Sequence, residues 1–78
     1  MSIEITADTK WEVVERGEVR SVDEGDGTVA VWLIGFTFRV GDYTATVCGD
    51  VDNGDPPSAV IPQGGKLYGY TLAELNHL

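Results

Sequence analysis

Apolar residues recur at every second position along most of this chain, which is the period of a half-buried β-strand. Residues 2–6 read as a short first strand and residues 11–22 as a long second one, weakened at Gly17. Residues 28–40 form the strongest candidate, rich in β-branched and aromatic side chains, and residues 43–51 form a fourth. Residues 52–58, made of Asp, Asn, Gly, Pro and Ser, read as a loop. Residues 59–61 add a short strand or edge segment before Pro62. Gln63-Gly64-Gly65 is a turn, and residues 66–70 supply a last strand.

The C-terminal stretch changes period. Thr71-Leu72-Ala73-Glu74 has the spacing of a capping box, in which the Thr71 hydroxyl accepts the Glu74 N–H and the Glu74 carboxylate accepts the Thr71 N–H. Leu72, Leu75 and Leu78 then follow at helical spacing. A helix of about two turns over residues 72–77 is predicted, too short to persist unless it docks on the sheet. The fold class that results is α+β, mainly β: an antiparallel sheet of four to five strands with one short C-terminal helix packed on it.

Turn chemistry sets the expected register. Gly41-Asp42 suits a two-residue hairpin, pairing Val40 with Tyr43, Phe38 with Ala45, Phe36 with Val47, Ile34 with Gly49 and Trp32 with Val51 on one apolar face. Arg39–Thr44, Thr37–Thr46, Gly35–Cys48 and Leu33–Asp50 fall on the other. Asp26-Gly27 closes the preceding hairpin, so that Val19 faces Ile34, Gly17 faces Phe36 and Val13 faces Val40. Trp11, Trp32, Phe36, Phe38 and Tyr43 are the expected core. Glu12, Val14, Arg16, Glu18, Arg20 and Val22 point outward, with Glu12 and Glu18 able to pair with the outer-face arginines. Val14, Val22, Val31 and Leu33 would form an outer apolar stripe. Glu15 conflicts with this register, since it would face the core opposite Phe38; a bulge near Gly17 would re-aim it.

The length of 78 residues accommodates one domain over residues 1–78, and a 42% hydrophobic fraction is ordinary for a folded chain. A single cysteine, Cys48, excludes an internal disulfide and favours a reducing compartment such as the cytoplasm. The N-terminal residues lack a basic and apolar leader pattern, and no apolar run has the length of a membrane span. No cofactor motif is present. Gly64-Gly65-Lys66 lacks the spacing and the following Ser or Thr of a phosphate loop, and His77, the sole histidine, has no partner pattern for catalysis. Residues 50–55 loosely resemble a calcium loop, but Gly54 and Asp55 stand in reversed order and Ile61 occupies the position of the bidentate Glu, so no metal is expected.

Charge changes the picture most. Thirteen acidic side chains against five basic ones give a net charge of −8, which disfavours nucleic acid and anionic membranes as direct partners and favours basic surfaces. In the register above, Asp23, Glu24 and Asp26 of one turn and Asp50, Asp52 and Asp55 after the fourth strand gather at one rim of the sheet. Turn propensity and solubility already account for some of these acids. Their convergence also points to an acidic contact surface, with Tyr68 and Tyr70 near Lys66 as additional contacts.

In size, cysteine content and charge, over its whole length, the chain resembles small acidic phage-encoded inhibitors of the anti-CRISPR and DNA-mimic type. No diagnostic motif carries this resemblance, and it transfers no residue roles. It implies a non-enzymatic inhibitor, monomeric or weakly dimeric, acting in the host cytoplasm. Its target would be a host nucleic-acid-binding protein or ribonucleoprotein complex with a basic surface. The alternative is a small phage structural or assembly module whose interface is the outer apolar stripe and whose acidity serves solubility.

Overall fold

The computed structural model describes residues 5–6 and 8–78, and the expected first strand at residues 2–6 lies mostly outside them. Ile5 and Thr6, its last two residues, are not in a strand. The organising element is one long central strand, Thr28–Val40, which runs most of the 40 Å long axis of the molecule. We number the strands in chain order: β1 Glu12–Glu15, β2 Glu18–Asp23, β3 Thr28–Val40, β4 Tyr43–Cys48, β5 Ala59–Pro62, β6 Lys66–Leu67 and β7 Tyr70–Thr71. The helix α1, Leu72–Asn76, ends the chain. β1 and β2 pair with successive stretches of β3 along one edge, and β4 and β5 do the same along the other. The result is a five-stranded antiparallel sheet with β3 at its centre.

The Gly41-Asp42 hairpin forms as its sequence dictates. Val40 pairs with Tyr43, Arg39 with Thr44, Phe38 with Ala45, Thr37 with Thr46 and Phe36 with Val47. The expected register then fails at Gly35. This residue takes φ 78° and stands as an extra residue between Phe36↔Val47 and Ile34↔Cys48. A residue with positive φ inserted into one strand re-aims the chain, and glycine adopts that conformation without a Cβ penalty. The core face of β3 is therefore Val29, Val31 and Leu33 before Gly35, and Phe36 and Phe38 after it. Val31 and Leu33, assigned above to an outer stripe, are wholly buried, so that stripe does not exist; Val14 and Val22 remain exposed on their own.

Two further corrections follow from the same bulge. β4 leaves β3 at Cys48, so Trp32–Val51 and Leu33–Asp50 do not pair, and β5 takes the vacated edge with Val31↔Ala59, Ala30↔Val60, Val29↔Ile61 and Thr28↔Pro62. The partners of β2 shift by one residue, to Val19↔Leu33 and Arg20↔Trp32. This odd shift matches the changed face of β3, so Val19 still packs on the core. Glu15 is exposed, because a second irregularity between Val13↔Phe38 and Glu15↔Thr37 turns it outward. The re-aiming bulge lies at Val14, three residues before Gly17. Gly17 has a separate role: a Cβ there would stand 1.9 Å from the Ile34 carbonyl oxygen, so only glycine lets the two backbones approach between β1 and β2.

The core lies under a lid made by the C-terminal quarter. The expected last strand at 66–70 is instead a tight hairpin, β6–β7, turning at Tyr68 (φ 56°) and Gly69 (φ 82°), the two positive φ values of a type I′ turn. This turn stacks the Tyr68 ring on Phe38, with centroids 4.3 Å apart, and sets it perpendicular to Trp11 at 5.2 Å. The Trp11 N–H donates to the Tyr68 carbonyl, and the Tyr70 hydroxyl donates to the Trp11 carbonyl. α1 starts with the full capping box between Thr71 and Glu74 and buries Leu75 in the core, while His77 is its C-cap. Tyr43, expected in the core, is 57% exposed beside the turn of the β3–β4 hairpin.

Candidate functional site

The six acids of interest occupy two groups on one half of the molecule. Asp23 ends β2, and Glu24 and Asp26 lie in the turn that follows, at the pole where β3 begins. Their turn is held by the acids themselves. The Asp23 carboxylate accepts the Gly25 N–H at 2.8 Å, and the Asp26 carboxylate accepts both the N–H and the hydroxyl of Thr28. The Thr28 bonds, hydroxyl first, hold the Asp26 carboxyl below the usual carboxylate range. Gln63, just past the end of β5, donates to Asp23 at 3.2 Å and ties the turn to the neighbouring edge.

Asp50, Asp52 and Asp55 lie in the segment between β4 and β5. This segment contains a single 3₁₀ turn, Val51–Asn53, for which Asp50 is the N-cap and accepts the Asp52 N–H. The Asp55 carboxylate accepts the Asp50 N–H at 3.0 Å, closing the loop on itself. The loop crosses the face of β3 opposite the core. There the Trp32 indole N–H donates to the Asp55 carbonyl at 2.9 Å, and the Ser58 hydroxyl accepts the Leu33 N–H that β4 has left unpaired. Arg20 bridges Glu18 at 3.7 Å and Asp52 at 3.6 Å. The loop acids thus sit beside Trp32, about 13 Å along β3 from Thr28, which holds the turn acid Asp26. The single acidic rim expected from sequence is corrected to two neighbouring groups, because β4 stops at Cys48 and β5 occupies the edge nearer the pole.

Most of this charge is left uncompensated. Glu12 pairs with Arg39, Glu18 and Asp52 share Arg20, and Lys10 reaches Glu74 at 3.6 Å. Among the described residues, Asp23, Glu24, Asp26, Asp50 and Asp55 have no ion-pair partner. Asp23, Asp26, Asp50 and Asp55 spend one oxygen each on local N–H groups, whereas the Glu24 carboxylate accepts no hydrogen bond from the described residues. Within the described residues no three acidic, histidine or cysteine side chains converge on a common point as a metal would require, and no cleft opens on the surface.

Tyr68 and Tyr70 are tied into the core packing. Tyr70 is 8% exposed and belongs to the core, and Tyr68 is half-buried between Trp11 and Phe38. Residues that sequence reasoning passed over are Ser58 and Gln63, which hold the two acidic segments to the sheet, and Val60, which is 56% exposed on β5. Their roles depend on β5 replacing β4 beside β3, which no local pattern announces. No helix among the described residues is long and apolar enough to cross a membrane. No family model matches the chain, and no curated protein or solved structure matches it.

Proposed function

We propose that this protein is a non-enzymatic inhibitor that occupies a basic, nucleic-acid-binding surface on a host protein or ribonucleoprotein complex, as small acidic phage-encoded inhibitors of the anti-CRISPR type do. The observation that carries this reading is the placement of two clusters of carboxylates, anchored at Thr28 and Trp32 about 13 Å apart along β3, on one half of a narrow body, with Arg20 as the single cation paired into them among the described residues. Carboxylates at such intervals substitute for phosphates in a basic groove and gain affinity through the same release of counterions. The reading requires no cofactor and no chemistry. Asp23, Asp26, Asp50 and Asp55 are held by their own turn hydrogen bonds, so these four meet a partner pre-organised.

The test is capture from a nuclease-treated bacterial lysate on the immobilised protein, followed by elution with short duplex DNA or RNA. Nucleic-acid-binding proteins released by the duplex are expected. Retained proteins that neither bind nucleic acid nor respond to it would contradict the proposal.

A further inference from the structure

Among the strands at the margins of the five-stranded sheet, β4 alone carries neither a charged residue nor a proline. The opposite margin, β1 and β2, carries Glu12, Glu15, Glu18, Arg20 and Asp23, and β5 is four residues long and ends in Pro62. Charge, proline and shortness keep sheet edges from pairing with other chains, and β4 has none of the three.

The Gly41-Asp42 hairpin fixes which groups of β4 stay free. In a two-residue hairpin the pair next to the turn, Val40 and Tyr43, is hydrogen-bonded, and bonded and non-bonded pairs then alternate. Tyr43, Ala45 and Val47 therefore spend their N–H and C=O groups on β3. Those of Thr44 and Thr46 point away from the sheet, and no described residue takes them up. Side chains alternate as well. Tyr43, Ala45 and Val47 lie on the face of Phe36 and Phe38, and Thr44 and Thr46 lie on the other.

Tyr43-Thr44-Ala45-Thr46-Val47 is close to a palindrome about Ala45. Antiparallel pairing of this strand with itself, centred on Ala45, sets Thr44 opposite Thr46 of a second copy. The free threonine groups of both copies then become hydrogen-bonded pairs. On the core face the Tyr43 ring, 57% exposed in one copy, meets Val47 of the other as an aromatic–β-branched pair. Asp42 falls opposite the uncharged Cys48.

The placement of charge permits this contact. Arg39, the ladder partner of Thr44, is already paired with Glu12. Both acidic groups are tied to β3 at Thr28 and Trp32, beyond the stretch that β4 covers. Strands run in opposite directions across the two-fold axis, so the acidic halves of the two copies project to opposite ends. Salt screens charges over about 8 Å at physiological strength, which leaves little of their repulsion at the seam. We infer that β4 is a self-association edge, through which two copies join their sheets two-fold symmetrically about Ala45. One strand per copy is a smaller contact than the roughly 20–30 residues a side of a tight complex, so the dimer is a weak one.

The experiment is sedimentation velocity with amide hydrogen exchange on the full chain, from about 20 μM to about 1 mM at about 150 mM salt. A dimer that grows with concentration is expected, with exchange at Thr44 and Thr46 slowing at least about threefold over the range. Thr46→Pro removes an N–H that β3 does not use, and is expected to hold the chain monomeric. Ala45→Cys in a Cys48→Ser background is expected to give a disulfide-linked dimer on mild oxidation, since the paired Cα atoms would stand about 4.5 Å apart. The native chain is expected not to cross-link, because its two Cys48 residues would lie about 20 Å apart. A monomer with fast Thr44 and Thr46 amides at every concentration overturns the inference. So do amides already protected in the monomer, which would place another segment on this edge, and a dimer that Thr46→Pro leaves intact. Exchange on the native chain decides the matter even if Thr46→Pro folds poorly. Each of these results leaves the electrostatic reading standing.

Discussion

The Trp32 indole N–H donates to the carbonyl oxygen of Asp55, 23 residues further along the chain, and this bond fastens the acidic loop across the outer face of the sheet. The loop has few other anchors: the Ser58 hydroxyl on Leu33 N–H and the Arg20–Asp52 pair. Surface ion pairs of the latter kind contribute little, about 0–1 kcal/mol. Trp32→Phe keeps an aromatic ring over the face and deletes the donor. It is expected to cost about 1–2 kcal/mol, read by thermal unfolding, and to broaden or shift the amide signals of Asp52 and Asp55. Unchanged loop signals would show that the indole bond does not hold the loop.

Gly17 and Gly35 lie near one another in the sheet but answer to different constraints. A side chain at Gly17 is excluded by the Ile34 carbonyl oxygen, which would lie 1.9 Å from its Cβ, whereas a Cβ at Gly35 would meet only the Gly17 Cα, at an ordinary 4.0 Å, with a backbone φ of 78°. Gly17→Ala should therefore force the β1–β2 edge away from β3, at a cost of about 2–4 kcal/mol. Gly35→Ala should cost only the left-handed backbone penalty, about 1–2 kcal/mol. Chemical denaturation of the two variants checks the ranking, and a larger loss at Gly35 would contradict it.

The titration behaviour of two carboxyls is set by named donors. Asp26 is held below the ordinary carboxylate range by Thr28, and Glu74 by the Thr71 N–H, with a smaller contribution from Lys10. A carboxyl with a depressed folded pKa stabilises the fold above its unfolded value, about 4, and that contribution is lost as pH falls through the folded value. Carbon-13 NMR titration should place both midpoints below the ordinary carboxylate value of about 4. Thr28→Val should return Asp26 toward the ordinary value and leave Glu74 where it was; an unmoved Asp26 would refute the assignment.

The parts of this fold legible in the sequence are those fixed by local chemistry. The Gly41-Asp42 turn set five consecutive pairs of β3 and β4, and Thr71 and Glu74 set the start of α1. The outward positions of β1 and β2 were also legible, because polar and apolar residues alternate there, and so was the pairing of Glu12 and Glu18 with outer-face arginines, though not which arginine each takes. Glu15 signalled a bulge by its conflict with the core face. The first half of β3 was not legible: residues 29–34 are all apolar, since this stretch is covered on both faces, and either parity satisfies the pattern. The switch at Gly35 therefore left no mark. With it went the exit of β4 at Cys48, the arrival of β5, and the separation of the acids into two groups. The β6–β7 turn was hidden for another reason, since tyrosine at positive φ is uncommon and Tyr68-Gly69 reads as part of a strand.

The acids themselves were found by composition, but their dual use was not. Asp23, Asp26, Asp50 and Asp55 both shape their turns and present charge. Asparagine keeps the accepting oxygen and removes the charge, so Asp→Asn at these positions, with Glu24→Gln and Asp52→Asn, separates the two uses. The neutralised chain is expected to retain its fold, with thermal stability unchanged or raised as repulsion is relieved.

The most direct measurement is the salt dependence of affinity for the protein captured from lysate, compared between the native chain and this six-fold neutralised variant. Between about 50 and 300 mM salt the native affinity is predicted to fall at least roughly tenfold, and the variant to bind weakly at every salt concentration with a much shallower slope. Native binding that is equally tight across that range, or a variant that binds as well as the native chain, would contradict an acidic surface that takes the place of nucleic acid.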